Sequence, residues 1–337
     1  MNLLVCKDKD LLFEYHHKKL KPIYIIAEEL GISKSQLGKI YKNYEIDILH
    51  FKKSQEEIEL LHFVKSIIDL DVESNVRGVI GTRELDIFIP DKNLAIEYNG
   101  TYWHSEISGG KSKNYHNSKT IEALKNNINL IHIFDYEWKF KKEIIKSIII
   151  SLLGKSARIY ARNCILKEVP LNEEKLFLEI NHLQGYSSSS ICYGLYHNNE
   201  LVSIMSFSKP RYNKKYKWEL LRFANKLGTN VVGGASKLFS HFKKLNKGSS
   251  VISYSHRDKF TGDIYKKLGF NFSHSTAPAP YYTNDYINVE NRIRYQKHKL
   301  SKIFKNFDPN LSEWINMKNN GYDRIWDCGN DVWIQGI

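Results

Sequence analysis

The chain has 337 residues, enough for two or three domains with cores of their own. Its 50 Lys plus Arg against 37 Asp plus Glu leave a formal charge of +13, which favours a polyanionic partner. No run reaches the roughly 18 apolar residues of a spanning helix, and residues 1–20 carry acids and histidines where a signal peptide is apolar. No membrane partner is therefore expected, and the cytoplasm (a host cell's, if the chain is phage-encoded) is the expected compartment. Cys6, Cys164, Cys192 and Cys328 lack CxxC or Cys/His spacing, so neither a zinc motif nor a disulfide framework is indicated, and they read as reduced thiols.

Residues 1–52 read as a small helical domain. Lys21-Pro22-Ile23 opens an apolar-periodic segment to Leu30, Gly31-Ile32-Ser33 makes a turn, and a second helix runs from Lys34 to Tyr44 with Ser33 as N-cap. The layout is that of a helix-turn-helix, with Ala27 at the close approach and Ile32, Leu37 and Ile40 in its core. The outward set of Ser33, Lys34, Ser35, Gln36, Lys39 and Lys42 suits the phosphates and base edges of double-stranded DNA. An ordinary helical hairpin is the alternative.

Residues 53–155 read as a second, α/β domain. A helix over Glu57 to Ile68 carries one apolar stripe that Glu57 extends. Glu84 to Ile89 and Leu94 to Asn99 alternate as strands around the turn formers Pro90-Asp91-Lys92-Asn93. Pairing Ile89 with Leu94 sets Asp86 directly opposite Glu97, and like charges so placed need a cation, a shared proton or a functional reason. A divalent metal held by Asp86 and Glu97 is one such reason, with solvated, separate acids as the bland alternative. A helix over Tyr115 to Asn127 shows His116 and Lys119 on one face; a strand (Asn129 to Phe134) and a closing helix (Trp138 to Leu153) follow.

Phosphodiester hydrolysis needs a metal to polarise the phosphate and a group to take a proton from water. Glu57, Asp86, Glu97 and His104 are candidates for these roles, with Asn99 orienting water or phosphate, Lys119 offsetting charge and His116 beside it. Taken singly, His104 reads as a packed histidine and Lys119 as a surface lysine. His132 reads as structural, and Tyr102 and Trp103 as core aromatics, with stacking on DNA as the alternative.

The stretch ELDIFIPDKNLAIEYNGTYWHSE, followed by YHNSKTIEALKNNINLIHIFDYEW, resembles the phage-borne homing endonucleases related to very-short-patch repair endonucleases, a branch of the PD-(D/E)xK superfamily. The resemblance covers about residues 54–138. It implies a restriction-endonuclease-like mixed sheet, a Mg²⁺- or Mn²⁺-dependent endodeoxyribonuclease, and catalytic roles for Glu57, Asp86 and His104. Asn99 stands where the repair enzymes carry histidine, and no lysine follows two positions after Glu97.

Residues 156–337 read as a third domain, entered through Lys155 to Arg162. Strands are expected over residues 191–196, 201–207, 218–223 and 251–255, and helices over 173–180, 235–245 and 260–268, with Gly269 as a C-terminal cap. Residues 322–334 are apolar enough to dock. Gly233-Gly234 precedes a helix whose N–H groups can receive a phosphate. With GDIYKKLGF at Gly262 to Phe270, this half is similar to GNAT acyltransferases, and the resemblance implies that the glycine turn holds the pyrophosphate of acetyl-CoA. The loop bearing Lys209, Arg211, Lys214, Lys215 and Lys217 around Tyr212 and Tyr216 could instead track a nucleic-acid backbone or be a solvated surface.

The sequence thus predicts an α/β multidomain chain: a helix-turn-helix, a nuclease-like domain and a GNAT-like domain. The leading expectation is a metal-dependent homing-type DNA endonuclease, as a homodimer if both strands are cut. The alternatives are a DNA-binding protein with an inactive nuclease fold, and a DNA-targeted GNAT-type acyltransferase.

Overall fold

The computed structural model describes residues 8–18, 23–48 and 54–336. Cys6, the expected helix start at Lys21-Pro22 and the expected boundary at residues 52 and 53 lie outside them. Contacts divide the chain into two compact units, Met1–Ser66 and Ile67–Ile337. Among the described residues no helix is long and apolar enough to cross a membrane.

The first unit is helical: α1 (Lys9–Phe13), a π-helical turn (Glu14–Lys18), α2 (Ile23–Leu30), α3 (Lys34–Asn43) and most of α4 (Gln55–Ile67). Leu12, Ile26, Ala27, Leu30, Leu37 and Tyr41 form its core, while Ile32 and Ile40 are only partly buried. Ser33 and Gln36 close a reciprocal capping box, with Ser33 Oγ accepting Gln36 N–H at 3.2 Å and Gln36 Oε1 accepting Ser33 N–H at 2.8 Å. Gly31, at φ +68°, makes the turn between α2 and α3.

The second unit begins with β1 (Glu73–Ile80), β2 (Arg83–Ile89), β3 (Leu94–Asn99), α5 (Thr101–His104), α6 (Tyr115–Lys125) and β4 (Asn129–Phe134). The sheet order is β1-β2-β3-β4, antiparallel except that β3 and β4 run parallel across the α6 connection. Ile89 pairs with Leu94 and Ile87 with Ile96, the register expected from the alternation. The single closing helix is instead α7 (Asp135–Phe140) and α8 (Lys142–Leu152). Lys141 leaves the helical region at φ −132°, ψ 28°, and its carbonyl accepts the N–H groups of Ile144 and Ile145.

The remainder holds β5 (Ala157–Tyr160), β6 (Ile165–Glu168), α9 (Leu171–Asn181), β7 (Ile191–His197), β8 (Glu200–Ser208), β9 (Trp218–Asn225), β10 (Thr229–Val232), α10 (Gly234–Leu245), β11 (Val251–His256), α11 (Asp263–Lys267) and β12 (Asn271–Ser275). It closes with β13 (Pro280–Thr283), β14 (Glu290–Asn291), α12 (Lys297–Leu300), α13 (Glu313–Asn319), β15 (Asp323–Trp326) and β16 (Asn330–Gln335). A seven-stranded sheet runs β12-β16-β11-β9-β8-β7-β6, while β13–β15 form a separate small sheet and β5 pairs with β10. Phe207 stacks on Phe242 of α10 at 3.7 Å, fixing that helix to the sheet over a core that includes Leu195, Met205, Leu238 and Trp333.

The helix expected from residue 260 starts only at Asp263, because Gly262 takes φ +76° with the Trp333 ring against it. The passage at residues 155–162 contains β5, and the apolar tail becomes β15 and β16. The expected boundary after residue 155 falls within the second unit.

Candidate active site

The hairpin does bring Asp86 and Glu97 together. Tyr98 N–H donates to Asp86 Oδ2 at 2.8 Å, and Asp86 N–H donates to Glu97 Oε1 at 3.3 Å. The cation at Glu97 is a lysine: Lys119 Nζ lies 2.5 Å from Glu97 Oε2, with both side chains buried. Burial, then the charge of Asp86, push the Glu97 carboxyl up to about 8, against the pull of Lys119. Glu97 is thus already engaged by an ammonium group, and Lys119 is no surface residue.

Behind this pair lies a chain of histidines. His116 Nδ1 donates to Trp326 O at 2.8 Å, which makes its Nε2 the acceptor for His104 Nδ1 at 2.9 Å. His132 contacts Asn99 Nδ2 at 3.2 Å and Thr120 Oγ1 at 2.9 Å. Burial lowers His104 to about 2 and His116 to about 4, and holds His132 well below its usual value. All three are neutral, hydrogen-bonded groups at neutral pH. Asn99, expected to orient a water or phosphate, is 1% exposed and faces His132 instead. Glu57 sits half-buried in the first turn of α4, in the first unit. Tyr102 and Trp103 are 46% and 70% exposed, so neither belongs to the core.

Among the described residues no group of three or more His, Cys, Asp or Glu side chains is arranged to hold a metal ion. The expected Mg²⁺ or Mn²⁺ ligands Asp86 and Glu97 do not fit that role, because Lys119 occupies the Glu97 carboxylate. Ser33, Lys34, Ser35, Gln36, Lys39 and Lys42 are all exposed on or beside α3, but the side chains of Ser33 and Gln36 are committed to the helix start.

A second arrangement lies in the seven-stranded sheet. β9 and β11 are its one parallel pair, and they pair only at Trp218↔Val251, Glu219↔Ile252 and Leu220↔Ser253. Beyond these residues β9 stays on β8 as far as Asn225, and β11 stays on β16 as far as His256. The edges Leu221–Asn225 and Tyr254–His256 therefore part into a wedge. At its closed end the Ser253 hydroxyl, which donates to Leu220 O at 2.8 Å, lies 3.0 Å from Tyr265 Oη, and Tyr265 stacks on Trp333. Burial raises the Tyr265 pKa, so the phenol keeps its proton. At the open end Gln184 Nε2 meets His256 Nε2 at 2.5 Å, and Arg222 donates to Gly185 O at 3.2 Å. The segment linking α9 to β7 thus crosses the wedge.

Gly233 and Gly234 stand where expected, at the turn from β10 into α10. Gly233 has φ +78°, and a Cβ on Gly234 would come within 3.0 Å of Val231 Cγ1, so the second glycine lets the helix seat on β10. The first turn of α10 has no side-chain cap and no acid, and Ser236 is exposed there. Lys237 is not available to a ligand, since its Nζ donates to Ala161 O at 2.8 Å and Cys164 O at 2.7 Å. The glycines and Tyr265, in its spacing from Gly269-Phe270, are legible in the sequence, whereas Ser253, Arg222 and His256 have no local signal.

No protein-family model matches the chain, and no curated protein does. Solved structures do. One is a Bacillus subtilis acetyltransferase in complex with CoA, with a TM-score of 0.30 and 13% identity, covering 52% of this chain and 98% of that one. Another is the ribosomal-protein-S18-alanine N-acetyltransferase from Escherichia coli, at 0.29 and 10%, covering 51% and 92%. An IAA acetyltransferase from Bacillus cereus gives 0.30 and 14%, covering 51% and 98%. Each of these matches spans about half of this chain. The expectation of a Mg²⁺-dependent endodeoxyribonuclease is corrected: the matched structures are acetyltransferases, not hydrolytic nucleases, and the acids expected to hold the metal are engaged otherwise.

Proposed function

We propose that the GNAT-like half of the chain binds acyl-coenzyme A in the wedge between β9 and β11 and transfers its acyl group. The observation that carries this reading is the separation of the one parallel strand pair beside a glycine turn that opens α10. Two strand edges facing each other without pairing offer N–H and C=O groups to an extended, amide-bearing ligand, as an added strand would take them. The N–H groups of Gly234, Ala235 and Ser236, at a helix start without acid, suit its pyrophosphate. When bound, the coenzyme supplies an acyl group activated as a thioester. Tyr265 Oη holds a proton at the closed end of the wedge, positioned by Ser253. Ser236→Glu tests the placement without disturbing the fold, because an acid in the first turn of a helix is tolerated or stabilising. Thermal unfolding with acetyl-CoA is expected to show a shift for the wild type and roughly tenfold weaker binding for Ser236→Glu. Equal shifts would remove the glycine turn from the site.

Double-stranded DNA is the partner proposed for this half. Residues 207–218 carry Lys209, Arg211, Lys214, Lys215 and Lys217 without an acid, and Tyr212 is 70% exposed among them. Neutralising two phosphates fewer, Lys214→Ala with Lys215→Ala is expected to flatten the slope of log affinity against log salt by about 1.8. An unchanged slope in fluorescence anisotropy with a DNA duplex would place the contact elsewhere.

A further inference from the structure

The seven-stranded sheet separates two helix layers. On β8, Met205 and Phe207 pack with Leu238 and Phe242 of α10, while Ile204 packs with Phe177 and Leu178 of α9. Strand side chains alternate, so α9 and the glycine turn that opens α10 serve opposite faces. On β9, Ala224 belongs to the α9 core, and Arg222, two residues earlier, shares that face. Arg222 Nε donates to Gly185 O at 3.2 Å and its Nη1 to Leu221 O at 2.9 Å. Arg211, in the loop before β9, donates from Nη2 to Ser187 Oγ at 2.7 Å. Gly185 and Ser187 lie two residues apart in the segment that crosses the wedge, so the two guanidinium groups come to one place.

Neither guanidinium is bonded to a carboxylate. Glu219, the one acid between them in sequence, gives its Oε2 to the Arg211 backbone N–H at 3.1 Å instead. Burial and then the charge of Arg211 pull the Arg222 pKa down, by more than Glu219 holds it up. Two like charges gathered on one segment repel each other unless an anion joins them, and the guanidinium fork fits the paired oxygens of a carboxylate or phosphate. The charge of Arg222 also reaches the Tyr265 phenol, so the pair looks onto the wedge. A coenzyme whose pyrophosphate lies at the start of α10 leaves this opposite face to the second substrate. Arg222 is half-buried and held by the crossing segment, which suits a small oxyanion better than a duplex backbone.

We propose that Arg211 and Arg222 hold the carboxylate or phosphate group of a small acyl acceptor on the α9 side of the wedge. Assigning that anion to the acceptor rests on the acyl-transfer reading; the anion site itself does not. Isothermal titration of the full chain at neutral pH with glutarate and with inorganic phosphate tests it, with glutaramide as the uncharged match, and the tighter anion tells carboxylate from phosphate. Saturable binding with a Kd of about 1 mM is expected for one or both anions and not for glutaramide, weakened roughly tenfold by Arg211→Gln and by Arg222→Gln. Arg211 is exposed, so its variant remains decisive if Arg222→Gln does not fold. Lys247→Gln removes the same charge beyond the end of α10 and should bind as the wild type does. Saturating acetyl-CoA should leave the anion affinity unchanged. No saturable heat up to about 10 mM anion, wild-type affinity in the folded arginine variants, an equal loss in Lys247→Gln, or displacement of the anion by acetyl-CoA would overturn the proposal. Anion binding that depends on both arginines in a protein that ignores acetyl-CoA would support the site and remove only the transferase reading.

Discussion

Replacing Lys259 with alanine is expected to destabilise the second unit by about 3–5 kcal/mol, one of the two largest effects of a single substitution in this account. The side chain is 1% exposed, and its Nζ lies 3.0 Å from Glu137 Oε2 and 3.2 Å from Asp258 Oδ2. It also donates to His132 O at 2.5 Å and sits 5.3 Å from the centre of the Phe134 ring. Burial alone would lower its pKa, but Asp258 and then Glu137 outweigh burial and hold it above the usual value. Its removal leaves two carboxylates inside the protein without their cation. These contacts tie β4 and α7 to the residues just after β11, so the loss reaches both sheets. Urea unfolding at neutral pH measures it. A change below about 0.5 kcal/mol would mean that water already reaches the cluster. The triple change Lys259→Met, Glu137→Gln and Asp258→Asn should recover much of the loss, since it removes the charges together.

Gly262→Ala is expected to cost about 2–5 kcal/mol, adding a left-handed backbone penalty of about 1–2 to an overpacking cost of about 1–3. Gly262 has φ +76°, and a Cβ there would stand 2.2 Å from Trp333 Cζ2. Trp333 is fixed on its other sides: it donates to Ser255 Oγ at 2.9 Å and stacks on Tyr265 at 5.6 Å. The ring cannot move without shifting Tyr265, so weaker acetyl-CoA binding should accompany the loss of stability. Gly248→Ala is the control, having φ +67° but nothing within 4 Å of its Cβ, and should cost only the backbone part. Equal unfolding midpoints for the two variants would show that the Trp333 contact relaxes freely.

What the sequence disclosed followed how local each signal was. The β2–β3 hairpin was legible because Leu85, Ile87 and Ile89 alternate and Pro90 to Asn93 can only turn, so its register followed. The consequence of that register was not legible. Opposed carboxylates call for a cation, but that the cation is Lys119, 22 positions from Glu97, depends on how α6 crosses the sheet. The residues assigned to a metal and a water are instead a lysine-paired acid and neutral, hydrogen-bonded histidines. β1 was missed because its burial pattern has no period of two. The break at Lys141 was missed because Trp138, Ile145 and Ile149 keep one helical stripe across it. In the C-terminal half the glycine turn was visible in a dipeptide. The wedge was not, since parallel pairing of β9 with β11 joins strands that α10 separates. The same holds for Trp326 and Arg324, which reach back to His116 and Glu106 from over 200 residues away.

The wedge and the glycine turn are proposed as one coenzyme site. Isothermal titration of the full chain with acetyl-CoA tests it most directly. One saturable site per chain is expected, weakened in Ser236→Glu and in Gly262→Ala. A titration to millimolar acetyl-CoA with no saturable heat, on protein shown to be folded, would contradict it.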